Sequence, residues 1–146
     1  MNRLALIVCA ILLLGSASLA QQNANSPPKS SAYAAIPVEA ARAPNPVKAT
    51  PESITRAQKW WTLDCAMCHG KTGDGKGDTA KDMKLTMMDL TDPATLKDRT
   101  DGEIFYVIKN GFQDMPPEGQ RVKTEENWDL VNYVRSLAKK PDQKPQ

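Results

Sequence analysis

Apolar residues in this chain form an unbroken run from Leu4 to Leu14 and then, after a long polar interval, three sets at helical spacing. Ile54, Ala57 and Trp61 stand at i, i+3 and i+7, one face of a helix. Its start lies at Thr50-Pro51-Glu52: a capping hydroxyl, a proline suited to the first helical position, and an acid at the positive helix end. Trp60 and Trp61 cannot both lie at the centre of that face, so one packs inward and the other sits near its rim. The second set, Ile104, Phe105, Val107 and Ile108, follows Thr100-Asp101-Gly102-Glu103, which has the form of a capping box. It stops at Asn110-Gly111, where glycine is expected in the left-handed terminal conformation. The third set, Trp128, Leu130, Val131, Val134 and Leu137, starts at Thr124 with Glu125 and Glu126 in its first turn. It fades at Lys139-Lys140-Pro141. Between the first two sets, Gly70 to Asp78 is glycine-rich and predicts a sharply turning loop. Residues 79–100 predict a short helix and irregular chain, with Met83, Met87 and Met88 as gap-fillers against a bound group or the core. Nothing in the pattern alternates strands with helices.

The opening run has the layout of a secretory signal over residues 1–20. Met1-Asn2-Arg3 is positive, Leu4 to Leu14 is apolar, and Ser18 and Ala20 fit the positions before a cut after Ala20. The run is shorter than the roughly 20 apolar residues of a full membrane span; the alternative is an uncleaved anchor. Residues 21–50 are rich in Ala, Pro, Ser and Asn, with prolines at 27, 28, 37, 44 and 46, too closely spaced for an apolar period. They read as a disordered linker, with local wrapping on the domain surface as the open alternative. The domain then spans 51–139, and 140–146 is a polar tail.

Length and charge narrow the picture. A chain of 146 residues defaults to one compact domain. Lysine plus arginine is 19 and aspartate plus glutamate 17, a net +2, which argues against nucleic acid as a partner. The domain carries 13 basic against 15 acidic side chains, so its own net charge is −2, while residues 21–50 carry +2. Aromatic residues make up only 5% of the chain, thin for a self-sufficient core. A buried prosthetic group would supply the missing apolar surface.

Cys65-Ala66-Met67-Cys68-His69 is where such a group would attach. Two thiols three positions apart, followed at once by histidine, form the pattern that binds c-type haem. Each thiol can add across one vinyl group as a thioether, and the imidazole is placed to ligate iron. A dithiol redox pair needs a βαβ setting that the chain lacks. A zinc site needs four ligands, whereas His69 is the only histidine and the one other cysteine, Cys9, lies in the opening run. Removal of residues 1–20 leaves Cys65 and Cys68 as the only thiols. Export agrees with this, since c-type haem is attached outside the bacterial cytoplasm, and the expected address is the periplasm. Asp74 and Asp78 raise a calcium loop as a rival, but Lys76 stands where an acid is wanted and no glutamate closes the loop.

For the second axial position, thioether sulfur is a soft ligand that favours ferrous iron. Met115 is the first candidate, since Pro116-Pro117 stiffens its loop. Met83, Met87 and Met88 are the alternatives, and Met67, inside the attachment motif, cannot reach around the ring.

From Ala57 to Leu137 the chain resembles a class I mono-haem cytochrome c of the small bacterial kind. The matching residues are Trp61, Cys65-Ala66-Met67-Cys68-His69-Gly70, Gly73-Asp74-Gly75, Asp101-Gly102-Glu103-Ile104, Gly111 with Met115-Pro116, and Trp128 to Val134. The resemblance implies an all-α fold of three to five helices wrapped around one covalently bound haem c, the first and last helices crossing near a haem edge. Ala57 stands where a glycine is usual at that crossing, which would widen it slightly; Trp128 and Tyr133 are the aromatic candidates. The function expected is single-electron transfer without enzymatic turnover, with redox proteins docking transiently. A haem-carrying subunit docked to a larger membrane respiratory oxidoreductase is the alternative. A gas sensor or peroxidase needs an open sixth site and, for the latter, a distal histidine that the chain does not have.

Overall fold

The computed structural model describes residues 33–139. The signal expected at 1–20, the first part of the linker and the tail at 140–146 lie outside the described residues. A 3₁₀ turn at Tyr33–Ala35 leads to six α-helical segments: α1 (Val38–Ala41), α2 (Pro51–Trp60), α3 (Ala66–His69), α4 (Asp78–Asp82), α5 (Asp101–Asn110) and α6 (Thr124–Ser136). The three longer ones, α2, α5 and α6, are those read from the apolar spacing; α1, α3 and α4 are a single turn each. No strand occurs among the described residues, only an isolated antiparallel bridge between Phe112 and Met115. None of the described helices is long and apolar enough to cross a membrane.

The helix starts follow from local chemistry. Thr50 Oγ1 accepts from the Ser53 N–H while Ser53 Oγ accepts from the Thr50 N–H, so two otherwise orphaned donors are satisfied. Glu103 closes the same box on Thr100 at α5. At α6 the Lys123 N–H donates to Glu126 Oε2. α5 ends at Gly111 with φ 78° and ψ 170°. That is the extended positive-φ region open essentially to glycine alone, rather than the left-handed helical one expected.

α2 and α6 make the most extensive helix contact, and Ile104 and Ile108 of α5 complete the core with them. Ala57 at this crossing is fully buried, as is Val131. Of the two aromatic candidates, Tyr133 meets Trp61 (ring centroids 5.4 Å apart), whereas Trp128 stacks on Phe105 of α5 at 4.0 Å. Trp61 is buried, and Trp60 is partly buried against the same core.

Polar residues also enter the crossing. Asp129 of α6 is wholly buried, and Arg56 of α2 meets it with two parallel bonds, Nε to Oδ2 at 2.8 Å and Nη2 to Oδ1 at 3.1 Å. Removing the cation strands a buried carboxylate, while removing the carboxylate's charge does not. Arg56→Ala is therefore expected to lower the thermal midpoint more than Asp129→Asn, as circular dichroism melts of the two variants would show.

Of the stretch read as a linker, residues 33–50 lie against the domain. They form a strap across α5 and α6. Asn45 donates to the Trp128 carbonyl and to Asn132 Oδ1, and Asn132 Nδ2 donates to the Val47 carbonyl. Thr100 Oγ1 donates to the Ala41 carbonyl at 2.6 Å. Gly102 makes the close approach possible: a Cβ there would collide with the Ala40 carbonyl and lie 2.9 Å from those of Ala41 and Ala43. The prolines limit helix here to the 3₁₀ turn at Tyr33–Ala35 and the single turn α1, so the strap's contacts come from individual carbonyls and side chains rather than a repeating face.

Candidate haem-attachment site

α2 does not stop before the cysteines. It passes through a π-helical turn at Trp61–Cys65 straight into α3. A π turn adds a residue per turn and shifts the faces of the helix that follows. Trp61 keeps the α2 face, its backbone N–H donating to the Ala57 carbonyl, and is buried; after the offset Cys65 is partly buried against the core and Cys68 is half-buried. No simple 3.6-residue period reports this offset.

Cys65 and Cys68 form no disulfide. Burial pushes the Cys65 thiol up to about 12; the Glu118 and Asp64 carboxylates add to the rise and Arg121 opposes it. Such a thiol is protonated near neutral pH. Dithiol exchange runs through a thiolate, which this burial disfavours at Cys65. Among the described residues, no three His, Cys, Asp or Glu side chains gather as a metal-binding group. Asp74 and Asp78 are engaged by Lys76 and Lys81.

His69 ends α3 with its ring 5.8 Å from that of Trp61. Burial lowers its pKa, keeping the imidazole neutral, the form that ligates iron. Its Nδ1 is buried without a hydrogen-bond partner. The glycine loop folds back over the motif. Gly75 N–H donates to the His69 carbonyl at 2.9 Å, Gly77 N–H to the Cys68 carbonyl at 3.2 Å, and Trp61 Nε1 to the Lys71 carbonyl at 3.2 Å. Gly70, Gly73 and Gly75 all take positive φ, which this tight reversal requires.

Met115 sits in a closed turn. Phe112 N–H donates to the Met115 carbonyl at 3.0 Å and Met115 N–H to the Phe112 carbonyl at 2.9 Å. Its side chain is partly buried against the same core cluster that receives Cys65 and Ala66. The other methionines differ. Met67, Met83 and Met88 are exposed and do not pack on the core: α4 is short and the chain beyond it runs over the surface. Met87 is half-buried.

Two sets of contacts around this turn escaped sequence reading. Tyr33 of the strap meets Phe112 with ring centroids 4.5 Å apart, and the Arg99 guanidinium lies 3.8 Å from the Tyr33 ring centroid. Arg121 pairs with both Glu118 and Asp64. The spacing of Glu118 and Arg121 on three positions was a legible hint of the first pair; nothing local announces Asp64 or Tyr33.

A neutral imidazole with an orphaned buried nitrogen, two unpaired thiols on one helical turn and a thioether on the shared core suit a haem held by two thioether bonds. The donor set is wrong for an ion caged by protein alone.

Comparison with known proteins agrees. Residues 52–134 match the family described as "Cytochrome C oxidase, cbb3-type, subunit III". No curated protein matches the chain. Among solved structures, a chain of the reducing HAO-like protein complex of Kuenenia stuttgartiensis is similar at 24% identity with a TM-score of 0.55, a likeness of fold. The match covers 64% of this chain but 47% of that one, so this chain spans about half its length. The family match takes in more than half of the present chain, with the attachment pentapeptide inside it, and the chain belongs to that family as a class I c-type cytochrome with one covalently bound haem c.

Proposed function

We propose that this cytochrome shuttles single electrons between redox proteins in the periplasm, without enzymatic turnover, using iron ligated by His69 and Met115. The observation that carries the reading is the Met115 turn, closed by reciprocal bonds with Phe112 and packed on the core that also receives Cys65. When bound, haem c supplies an iron that accepts and releases one electron. The chain's part would be to hold His69 and Met115 still and to keep water away. His69 stays neutral through burial. Pro116 and Pro117 confine the backbone after Met115, and Gly111 permits the positive-φ reversal that brings its backbone against the Met115 carbonyl and Pro117. A donor pair fixed in both oxidation states keeps rearrangement on electron transfer small, and a thioether donor raises the potential.

A second reading has its own support. The matching family is described as a subunit of an oxidase, and the similar structure belongs to a protein complex. A haem-carrying subunit docked to a membrane respiratory oxidoreductase would use the same site. Fractionation of native membranes separates the two, since a shuttle is recovered free and a subunit co-purifies with its complex.

Visible spectra of the holoprotein test the ligand set. The wild type is expected to be low-spin in both oxidation states and unchanged by carbon monoxide. Met115→Ala is expected to bind carbon monoxide when reduced and to show a lower potential. Ready carbon monoxide binding by the wild type would replace the carrier reading with a sensor or enzyme.

A further inference from the structure

We propose that Arg121 is a positioning residue for the axial methionine, clipping the Met115 loop to the attachment helix through Asp64 and Glu118. The proposal rests on the reading of Met115 as ligand. Asp64 directly precedes Cys65, and Glu118 lies three residues past Met115. Arg121 Nη2 donates to Glu118 Oε2 at 2.8 Å and lies 3.1 Å from Asp64 Oδ2. One cation thus joins the two halves of the haem site, which are more than fifty residues apart in sequence.

The environment of the three side chains differs in a way that gives the pair its effect. Arg121 is well exposed, but the Glu118 side chain is only 10% exposed and that of Asp64 21%. A surface cation is cheap to hold; a nearly buried carboxylate is not, unless it is paired. Glu118 is also fixed by its backbone, whose N–H donates to the Ile108 carbonyl at 3.0 Å, and Gly119 N–H donates to Lys109 at 2.9 Å. Without Arg121, Glu118 faces Asp64 beside Cys65 with no intervening positive charge. The relief available is for the 115–121 segment to shift toward water against the two backbone bonds that Glu118 and Gly119 make to α5. That motion carries Met115 away from the core, while the attachment motif, held by α2 and the glycine loop, stays in place.

The clip therefore sets how often the thioether leaves iron. Its test is carbon monoxide uptake by the reduced holoprotein, read beside the reduction potential and the melting curve. Arg121→Ala is expected to raise the rate of uptake roughly fivefold, the scale of a partly exposed ion pair, and to lower the potential, with a smaller change in Arg121→Lys. Asp64→Asn, which keeps the side chain's size, is expected to reproduce part of the rise on its own and to lower the uptake rate in the Arg121→Ala background, where it removes the repulsion with Glu118. If Arg121→Ala yields no folded holoprotein, Asp64→Asn carries the test alone. Wild-type uptake in both variants, with Met115→Ala reactive, overturns the clip and leaves the ligand reading standing. An unreactive Met115→Ala overturns the ligand reading, and the clip with it.

Discussion

A single methyl group at Gly77 is expected to disrupt haem attachment, although Gly77 is neither a ligand nor a residue with unusual dihedral angles. Its φ is −65°, open to any residue. The obstacle is space. A Cβ at this position would collide with the Met67 carbonyl and lie 2.5 Å from the Cys68 carbonyl oxygen and 2.6 Å from its carbon. All three are backbone atoms of the attachment motif, which cannot turn aside as a flexible side chain would. Either the glycine loop lifts off, breaking the Gly77 bond to Cys68, or α3 distorts and moves the two thiols. Overpacking of this kind costs about 3 kcal/mol, a large share of the 5–15 kcal/mol that holds a typical domain folded. Gly119→Ala is the control. Nothing lies within 4 Å of a Cβ there, and its φ of +58° alone is strained. That substitution is expected to cost about 1 kcal/mol with normal haem loading. Haem per chain and melting temperature, measured for both variants after expression with c-haem maturation, check this. A fully loaded Gly77→Ala with wild-type melting would mean that the loop does not brace the motif.

What the chain spells out locally, the structure follows closely. Thr50 and Thr100 announce α2 and α5 because capping hydroxyls and the positive helix end act over three residues. The attachment pentapeptide is legible for a similar reason, since spacing on one helical turn is itself the chemistry. Long-range features are hidden. Asn127 and Asp129 look like solvent-facing positions of α6, yet both are buried, because Arg56 lies seventy-three residues away and the Val122 carbonyl accepts from Asn127 Nδ2. The strap at 33–50 reads as a tether because its proline spacing excludes a period, and a period is what betrays a packed face. Its anchors are isolated partners, Asn45 on Asn132 and Tyr33 on Phe112. The π turn at Trp61–Cys65 is invisible for the same cause. Its one-residue offset is set by what α2 packs against, and Ile54, Ala57 and Trp61 look like an ordinary α-helical stripe.

Trp61→Ala, at the residue that opens the π turn, is expected to be the most destabilising change in the core. The indole is 3% exposed, lies 5.4 Å from Tyr133 and 5.8 Å from His69 by ring centroids, and donates from Nε1 to the Lys71 carbonyl at 3.2 Å. It therefore joins α6, the attachment histidine and the glycine loop through one side chain. Truncation removes its buried surface and leaves a cavity, a loss of about 3–5 kcal/mol, and it also leaves the Lys71 carbonyl without its donor. For a domain of this size the midpoint should fall by roughly 10–30 °C. Trp61→Phe keeps most of the volume but not the donor, so it should lose less than half as much. The two losses separate packing from hydrogen bonding. Equal falls would show that the bond to Lys71, and hence the seating of the glycine loop, is what Trp61 supplies. A small fall in both would mean that the π turn delivers Cys65 and His69 without help from the residue that opens it.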